Sequence, residues 1–293
     1  MKKLRQGTET LLPLLRSIYD RFKKARVFNP YVTAEVIISE ALGIPRAEIY
    51  LAPEKKVRKS QIEKVLRWTS LREKRTPLSY ILHKTWFREI ELEITPAVLV
   101  PRQETELLVD EAIKLIKAEP KIAKILDLGT GSGAIILSLA HELKDLGRPL
   151  KLFASDLSAP ALKIAQKNAR KLGLDKIFFR RGDWLAPFRA QKFDLIICNP
   201  PYIQEKELPR LMPEVSKYEP RLALDGGSQG LEQIKRILAT APAHLNPSGF
   251  LLFEIGKGQS SKLASISSPR LELKKFAQDY QHIDRIALFQ YCS

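Results

Sequence analysis

Short apolar runs alternate with helical stretches between residues 122 and 255, and this alternation constrains the fold more than any other feature. The five runs with strand character are residues 124–129, 150–156, 176–183, 193–200 and 249–255. Apolar runs with little polar alternation are typical of parallel strands that helices cover on both faces. The last two apolar runs of the chain, 271–278 and 284–291, are joined by a link too short for a parallel crossover, so we expect them to pair antiparallel. The sequence therefore predicts an α/β fold with a doubly wound, mostly parallel, seven-stranded sheet.

The first 75 residues have a different pattern, in which apolar side chains recur at helical spacing. Thr76 and Pro77 interrupt this pattern. In the segment that follows, Ile90, Leu92 and Ile94 alternate with glutamates, as in one strand of a half-exposed hairpin. We therefore expect three regions along the chain: an N-terminal helical bundle at 1–75, a β-hairpin linker at 76–100 and the α/β domain at 101–293.

The net charge of +16 is unevenly distributed along the chain. Residues 1–88 hold 20 lysines and arginines against 8 acidic residues, a net charge of +12. A field of this sign favours an acidic partner, either nucleic acid or an acidic protein, although it also serves solubility alone. No basic stripe interleaved with aromatic residues accompanies the charge, so direct nucleic-acid binding stays open but is not what we expect.

The composition excludes several classes of protein. A chain that is 44% hydrophobic and 28% charged is typical of a globular protein. No apolar run approaches the ~18 residues that a membrane helix needs, so we expect no membrane contact. The two cysteines, Cys198 and Cys292, are too few for a disulfide framework or a zinc site and suit a reducing compartment. We expect a cytoplasmic monomer that binds no metal.

A glycine-rich turn, DLGTGSG, follows the first predicted strand of the α/β domain at 127–133. Its glycines permit a tight turn and let a ligand approach the backbone, and the helix that follows adds unpaired N–H groups. We expect a cofactor to bind the residues of this turn: Gly129, Thr130, Gly131, Ser132 and Gly133. The same turn also matches the dinucleotide pattern G-x-G-x-x-G/A, so alone it does not name the ligand.

Acidic residues end the next two predicted strands. Asp156 can accept both hydroxyls of a ribose, in NAD or in S-adenosylmethionine, or it can cap the helix that follows. In GDW at 182–184, Asp183 or the backbone beside it can bind an adenine amino group while Trp184 stacks on the base. The alternative for this segment is a turn with a core tryptophan.

The segment NPPY at 199–202 ends the fourth predicted strand. Because proline donates no backbone hydrogen bond, the stiff turn leaves the Asn199 side chain and the Pro200 carbonyl as acceptors at the edge of the sheet where ligands bind. A target amino group has two N–H donors, which these acceptors can satisfy together. Tyr202 supplies a flat wall for a planar target. We expect Asn199, Pro200 and Tyr202 to be catalytic, Pro201 to contact the substrate with them, and Asn199 also to touch the cofactor.

In this order and spacing, DLGTGSG, Asp156, GDW and NPPY resemble the class I S-adenosylmethionine-dependent methyltransferases that act on planar amino groups. Five further segments resemble the bacterial release factor glutamine methyltransferases: PRQETE (101–106), YEP (218–220), LALDGGSQGL (222–231), FEIG (253–256) and FAQDYQHIDRI (276–286). The resemblance covers nearly the whole chain and is weakest over 1–75. The chain departs from the family pattern at Gln103, where a second proline is usual, and it lacks a glycine expected near His83 or Lys84.

The resemblance implies a Rossmann-like methyltransferase fold and S-adenosylmethionine as cofactor. It implies as substrate the glutamine side-chain amide in the Gly-Gly-Gln loop of peptide chain release factors. Because the motifs all lie beyond residue 126, we expect the helical region 1–75 to recognise the protein substrate.

Three alternatives to this function remain at the level of the sequence. The chief one is a nucleic-acid methyltransferase that acts on an adenine or guanine amino group, since NPPY also suits a flipped base. A non-catalytic factor-binding module and a nicotinamide oxidoreductase are less favoured, because the acceptor pair of the NPPY turn is intact.

Overall fold

The computed structural model describes residues 10–266 and 269–292. The helices are α1 (Leu11–Lys24), α2 (Pro30–Leu42), α3 (Glu48–Leu51), α4 (Lys59–Glu73), α5 (Leu78–Leu82), α6 (Glu104–Ala118), α7 (Ala134–Glu142), α8 (Ala159–Lys171), α9 (Pro213–Ser216), α10 (Glu232–Thr240) and α11 (Ser260–Ala264). The strands are β1 (Lys84–Phe87), β2 (Ile90–Glu93), β3 (Lys124–Leu128), β4 (Lys151–Asp156), β5 (Phe178–Arg181), β6 (Phe193–Cys198), β7 (Leu245–Glu254), β8 (Leu271–Gln278) and β9 (Asp284–Tyr291). No helix within the described residues is long and apolar enough to cross a membrane.

The chain forms two compact units. The first comprises the described residues up to His83 together with Pro213–Tyr218, and the second comprises Lys84–Met212 and the described residues from Glu219 onward. Helix α5 therefore belongs to the first unit, whereas the hairpin belongs to the second. Both elements lie in the segment 76–100 that we expected to link the domains.

The first unit is a helical bundle whose core follows the helical spacing of its apolar residues. Side chains at intervals of three and four residues along α1 are buried against α2 and α4: Leu11, Leu14, Leu15, Ile18 and Phe22. An ion pair of 2.6 Å between Arg21 and Glu73 joins α1 to α4. The segment Pro213–Tyr218 is held in this unit by Glu214, which pairs with Arg72 at 2.8 Å and with Arg75 at 2.6 Å.

The second unit contains the predicted seven-stranded sheet, in the order β5-β4-β3-β6-β7-β9-β8. Strands β5, β4, β3, β6 and β7 are parallel, and β9 pairs antiparallel with both β7 and β8. The predicted hairpin is also present as a separate antiparallel pair of β1 with β2. Helices α6 and α7 pack against each other and the sheet, α8 packs on β4 and β5, and α10 buries Ile234, Ile237 and Leu238 in the core. The α/β fold class is confirmed.

Candidate active site

The predicted ligand-binding turns all leave one edge of the sheet. Parallel register places Leu128, at the end of β3, opposite Ser155 of β4 and Cys198 of β6. The glycine turn, Asp156, GDW and NPPY therefore follow neighbouring strand ends, the edge at which open α/β sheets bind ligands.

A cavity of about 690 Å³ opens at this edge, within the roughly 300–1,000 Å³ range of ligand pockets. Most of the predicted site residues line it: Gly129, Thr130, Gly131, Ser132, Asp156, Asp183, Trp184, Asn199 and Pro201. Three predicted site residues lie outside its lining: Gly133, Pro200 and Tyr202. All lining residues belong to the second unit.

The glycine turn depends on backbone conformations and close contacts that other residues would not tolerate. Gly133 has φ +87° at the N-cap of α7, and a Cβ there would lie 2.8 Å from the Leu137 side chain. A Cβ on Gly129, whose φ is +70°, would lie 3.3 Å from the Trp184 ring. The turn is thus packed directly beneath a tryptophan that also lines the cavity.

Asp156 is bonded to the glycine turn. Its Oδ2 accepts from the Gly131 N–H at 2.9 Å, and its Oδ1 accepts from the Ser158 N–H at 2.8 Å. Burial raises the pKa of the carboxyl, and the backbone bonds oppose that rise. The N-cap of α8 is Ser158, whose hydroxyl accepts from the Ala161 N–H at 3.3 Å. Since Ser158 fills the capping position, Asp156 is available to face the cavity as an acceptor.

The GDW segment is engaged with α10. The Asp183 carboxylate pairs with Arg236 at 2.5 Å, and the Trp184 indole N–H donates to Gln233 at 3.1 Å. Trp184 has a left-handed φ of +45°, which is uncommon for a bulky residue. These contacts fix the indole ring over the glycine turn. If the Asp183 carboxylate also binds the adenine base, it does so while paired with Arg236.

The positive charge at the cavity is compensated. Each arginine that lines it forms an ion pair: Arg102 with Glu219, Arg221 with Glu205 and Asp225, and Arg236 with Asp183. No lysine stands among the described lining residues. A pyrophosphate needs unpaired cations or N–H groups, but the Gly131 N–H already bonds Asp156. The described lining therefore offers a phosphate group no cationic side chain that is not already paired.

The Asn199 side chain of the NPPY turn has one oxygen free at the cavity. The Asn199 Nδ2 donates to Thr105 Oγ1 at 3.0 Å, and no donor among the described residues bonds its Oδ1. The Tyr202 hydroxyl instead donates to Glu254 Oε1 at 3.1 Å, and its ring lies against Gly256. Burial and the neighbouring Glu254 carboxylate raise the pKa of Tyr202 well above its usual range. Tyr202 thus braces the turn from behind, and the flat wall expected from it is not part of the cavity.

Comparison with known proteins places the whole chain in one family. Residues 120–242 match the family described as "Methyltransferase domain", and residues 13–82 match the "PrmC N-terminal domain". A release factor glutamine methyltransferase of Geobacter sulfurreducens is 38% identical over 261 residues, 89% of each chain. One of Nitratidesulfovibrio vulgaris is 37% identical over 281 residues, 94% of this chain and 93% of its own. This chain belongs to the release factor glutamine methyltransferase family.

A solved structure supports the fold of this methyltransferase. The hMettl16 catalytic domain, in complex with a hairpin of the MAT2A 3'UTR, matches with a TM-score of 0.51 at 16% identity, covering 82% of this chain and 85% of its own. Likeness at that identity shows the fold alone. Family membership confirms the predicted enzyme class and makes S-adenosylmethionine the cofactor, which excludes the nicotinamide and the non-catalytic alternatives.

The cavity of this methyltransferase fits that cofactor. Asp156 offers carboxylate oxygens that can accept ribose hydroxyls, Trp184 offers an apolar face beside the glycine turn, and the paired arginines leave little repulsion for a sulfonium. Among the described residues, no cluster of His, Cys, Asp or Glu could hold a metal ion.

Two residues of the site were not identified from the sequence. Thr105, at the start of α6, lines the cavity and bonds Asn199, while Glu254 accepts from Thr105 Oγ1 at 2.7 Å. Both lie in segments that carry the family resemblance, PRQETE and FEIG. The sequence offered one signal for this network, the glutamate that ends the buried apolar strand β7. A buried carboxylate requires hydrogen-bond partners, so its position predicts polar side chains around it.

Proposed function

We propose that this methyltransferase transfers a methyl group from S-adenosylmethionine to the side-chain amide nitrogen of the glutamine in the Gly-Gly-Gln loop of peptide chain release factors. The observation that carries the proposal is the free Oδ1 of Asn199 at the ligand-binding edge, in a chain whose full-length relatives bear the name of this activity. An acceptor at this position suits a target that brings N–H donors.

The chemistry requires a weak nucleophile to be oriented. An amide nitrogen is a poor nucleophile because its lone pair is delocalised into the carbonyl. Asn199 Oδ1 and the Pro200 carbonyl accept its two N–H bonds and turn the lone pair toward the methyl group. S-adenosylmethionine supplies an electrophilic methyl on a sulfonium.

The same two acceptors stabilise the positive charge that develops on the N–H groups in the transition state. In-line placement of the target nitrogen supplies the entropic part of the rate enhancement. No histidine stands among the described lining residues. The mechanism needs no strong base, because the extra proton on the methylated amide nitrogen is acidic enough to pass to water.

The cofactor is assigned to the glycine turn and the two strand ends beside it. Its residues are Gly129, Thr130, Gly131, Ser132, Gly133, Asp156, Asp183 and Trp184, with Asn199 at the reactive end. Asp156 accepts the ribose hydroxyls, and Trp184 contacts the base. The substrate amide is assigned to Asn199 and Pro200, with Pro201 beside it at the cavity. Gly133 and Tyr202, which lie outside the cavity lining, are assigned to the shape of their turns, and Pro200, which also lies outside it, is assigned to the acceptor role of its backbone carbonyl.

The helical region, residues 1–75, is assigned to recognition of the release factor. Its support is the charge of +12 over residues 1–88 and the position of every cavity residue beyond residue 96. One chain supplies the complete cavity, so the enzyme acts as a monomer. The proposed location is the cytoplasm, which suits a substrate that takes part in translation and two free cysteines, Cys198 and Cys292.

The proposal is tested by incubating the enzyme with purified release factor and S-adenosylmethionine, followed by mass spectrometry of the Gly-Gly-Gln peptide. We expect one added methyl group on its glutamine. Parallel reactions contain tRNA, rRNA or DNA in place of the release factor. Methylation of a nucleic acid with an unmodified release factor would support the alternative function and contradict this one.

A further inference from the structure

The mechanism above gives no role to Glu254, the buried carboxylate at the end of β7. The residue is only 1% exposed and lies outside the cavity lining, so it is not placed to touch the cofactor or the substrate amide. It accepts two hydroxyl hydrogen bonds, one from Thr105 at 2.7 Å and one from Tyr202 at 3.1 Å. A buried carboxylate is costly to maintain, so a function that requires an acceptor at this place is worth seeking.

The hydrogen-bond chain through Thr105 has a defined direction. A threonine hydroxyl has one hydrogen to donate and lone pairs to accept with. Because Thr105 donates its hydrogen to Glu254, it can only accept from Asn199. The Asn199 Nδ2 accordingly faces Thr105 at 3.0 Å, and the Oδ1 is the amide atom left for a ligand.

The opposite direction would disable the site. If the Thr105 hydrogen were released from Glu254, the hydroxyl could donate to Asn199 Oδ1 and the amide could turn over. Asn199 would then present N–H donors to a target that itself brings two N–H donors. The N–H groups of Asn199 cannot form hydrogen bonds with the N–H groups of the target amide. The target nitrogen would therefore lose one of its two acceptors.

We propose that Glu254 is a positioning residue that acts through Thr105 to hold the Asn199 amide with its carbonyl oxygen toward the substrate. The bond from the Tyr202 hydroxyl to the same carboxylate holds the other end of the NPPY turn. This inference rests on the proposed function, because it requires a target amide with two N–H donors. It assigns a role to a carboxylate that touches none of the reacting atoms.

The test is a double-mutant cycle in the full-length enzyme with near-isosteric variants. Glu254→Gln lets the new amide donate to Thr105, and Thr105→Val removes the hydroxyl. We expect each to lower kcat by about 10- to 100-fold, as misplacement of a substrate-orienting group does. In Glu254→Gln the cofactor Kd and the KM for release factor should stay within about threefold, since Glu254 lies outside the cavity. The double variant should be no slower than Thr105→Val alone.

Two further variants separate positioning from folding. Thr105→Ser, which keeps the hydroxyl, should recover most of the rate lost in Thr105→Val. Glu111→Gln is the matched control, because Glu111 is another buried carboxylate of the second unit, paired with Lys114 and Lys275 away from the cavity. It should leave kcat unchanged. The inference would be overturned if the reductions in kcat caused by Glu254→Gln and Thr105→Val multiplied in the double variant. It would also be overturned if Glu254→Gln lost as much cofactor affinity as kcat.

An activity-independent measurement keeps the inference separate from the proposed function. In the NMR spectrum of the wild-type enzyme, the Asn199 side-chain N–H bonded to Thr105 should exchange slowly with solvent, and Glu254→Gln should accelerate that exchange. An exchange rate that does not change in Glu254→Gln would refute the relay through Thr105. A wild-type enzyme that leaves release factor unmethylated would refute the proposed function, whatever the exchange rates show.

Discussion

The backbone N–H of Gly131 lies 2.9 Å from Oδ2 of Asp156, so the acid that ends β4 is bonded to the turn that follows β3. The other carboxylate oxygen accepts from the Ser158 N–H at 2.8 Å. Each oxygen retains a further acceptor site, because a carboxylate has about four lone-pair positions. Asp156 thus fixes the shape of the glycine turn and can accept ribose hydroxyls at the same time.

Replacement of Asp156 by alanine should weaken cofactor binding. Hydrogen bonds to a charged group contribute about 1.5–3 kcal/mol, which at about 1.4 kcal/mol per decade raises the Kd for S-adenosylmethionine by ~10- to 100-fold. Calorimetry measures this Kd. Asp279→Ala is the control, because that carboxylate also accepts backbone N–H bonds, from Gln281 and Ile283, but lies outside the cavity lining, so the Kd should not change. An unaltered Kd in Asp156→Ala would assign the carboxylate to structure alone.

Asp127 should make the stability of the enzyme depend on pH. Burial raises the pKa of this carboxyl to about 7, against opposing hydrogen bonds from the Thr130 hydroxyl and the Ile136 backbone N–H. The folded state therefore binds more protons than the unfolded chain between pH values of about 4 and 7. Within that window the free energy of unfolding falls as pH rises, by up to about 1.4 kcal/mol per pH unit.

The isosteric variant Asp127→Asn should lack this part of the pH dependence. Denaturation at a series of pH values should show the variant gaining stability relative to the wild type as pH rises from about 4 to 7, with a constant difference above that. Parallel curves for the two proteins over the whole range would show that Asp127 does not titrate there.

The basic charge of the helical region should act on the protein substrate. Charge-assisted encounter weakens with salt, since the Debye length is ~10 Å at 0.1 M. The KM for release factor should rise with ionic strength while the KM for cofactor stays nearly constant. This measurement needs the whole chain rather than a truncated one. Removal of the helical region would leave Glu214 of the segment Pro213–Tyr218 without its partners Arg72 and Arg75.

Charge-reversed variants locate the effect. A triple change to glutamate at exposed positions of the helical region, Lys24, Lys59 and Arg67, should raise the KM for release factor by at least tenfold, on the order of 0.5 kcal/mol for each charge. The matched control reverses three exposed lysines of the second unit: Lys176, Lys192 and Lys257. If the two triple variants raised the KM for release factor equally, the basic charge would act by general attraction rather than by recognition through the helical region.

The missing glycine of the family pattern has a structural consequence at His83. This residue ends α5 with a left-handed φ of +57°, a conformation that costs an L-residue about 1–2 kcal/mol. His83→Gly should therefore raise the free energy of unfolding by about 0.5–1 kcal/mol, after allowance for the greater backbone entropy of glycine. Chemical denaturation measures the change. Ser79→Gly, inside α5, should lower stability instead, and a loss in both variants would contradict the strain at His83.

The sequence predicted the sheet and the location of the site well, because both depend on local patterns. Apolar runs and glycine turns are read directly along the chain, and the carboxyl ends of parallel strands meet wherever such a sheet forms. The strand-end pattern predicted that Asp156 and Asn199 lie at this edge of the sheet, and both line the cavity there.

The sequence did not show contacts between distant segments. Thr105 and Glu254 are separated by 149 positions and meet only because α6 packs beside β7. The same hydrogen-bond network turns the Tyr202 hydroxyl toward Glu254, away from the expected substrate wall. Likewise, no local pattern places residues 213–218 with the helical bundle, since that depends on Glu214 meeting Arg72 and Arg75.

Single-turnover methyl transfer to release factor by the variant Asn199→Ala tests whether Asn199 Oδ1 holds the target glutamine amide. Loss of one such transition-state partner typically costs ~10²–10³ in rate, while the cofactor Kd should change only a few-fold. Asn246→Ala is the control, because that amide bonds Asp194 away from the cavity. We expect transfer by Asn199→Ala to fall by at least about 100-fold and transfer by the control to match the wild type. A wild-type single-turnover rate in Asn199→Ala would show that Asn199 Oδ1 does not hold the target amide.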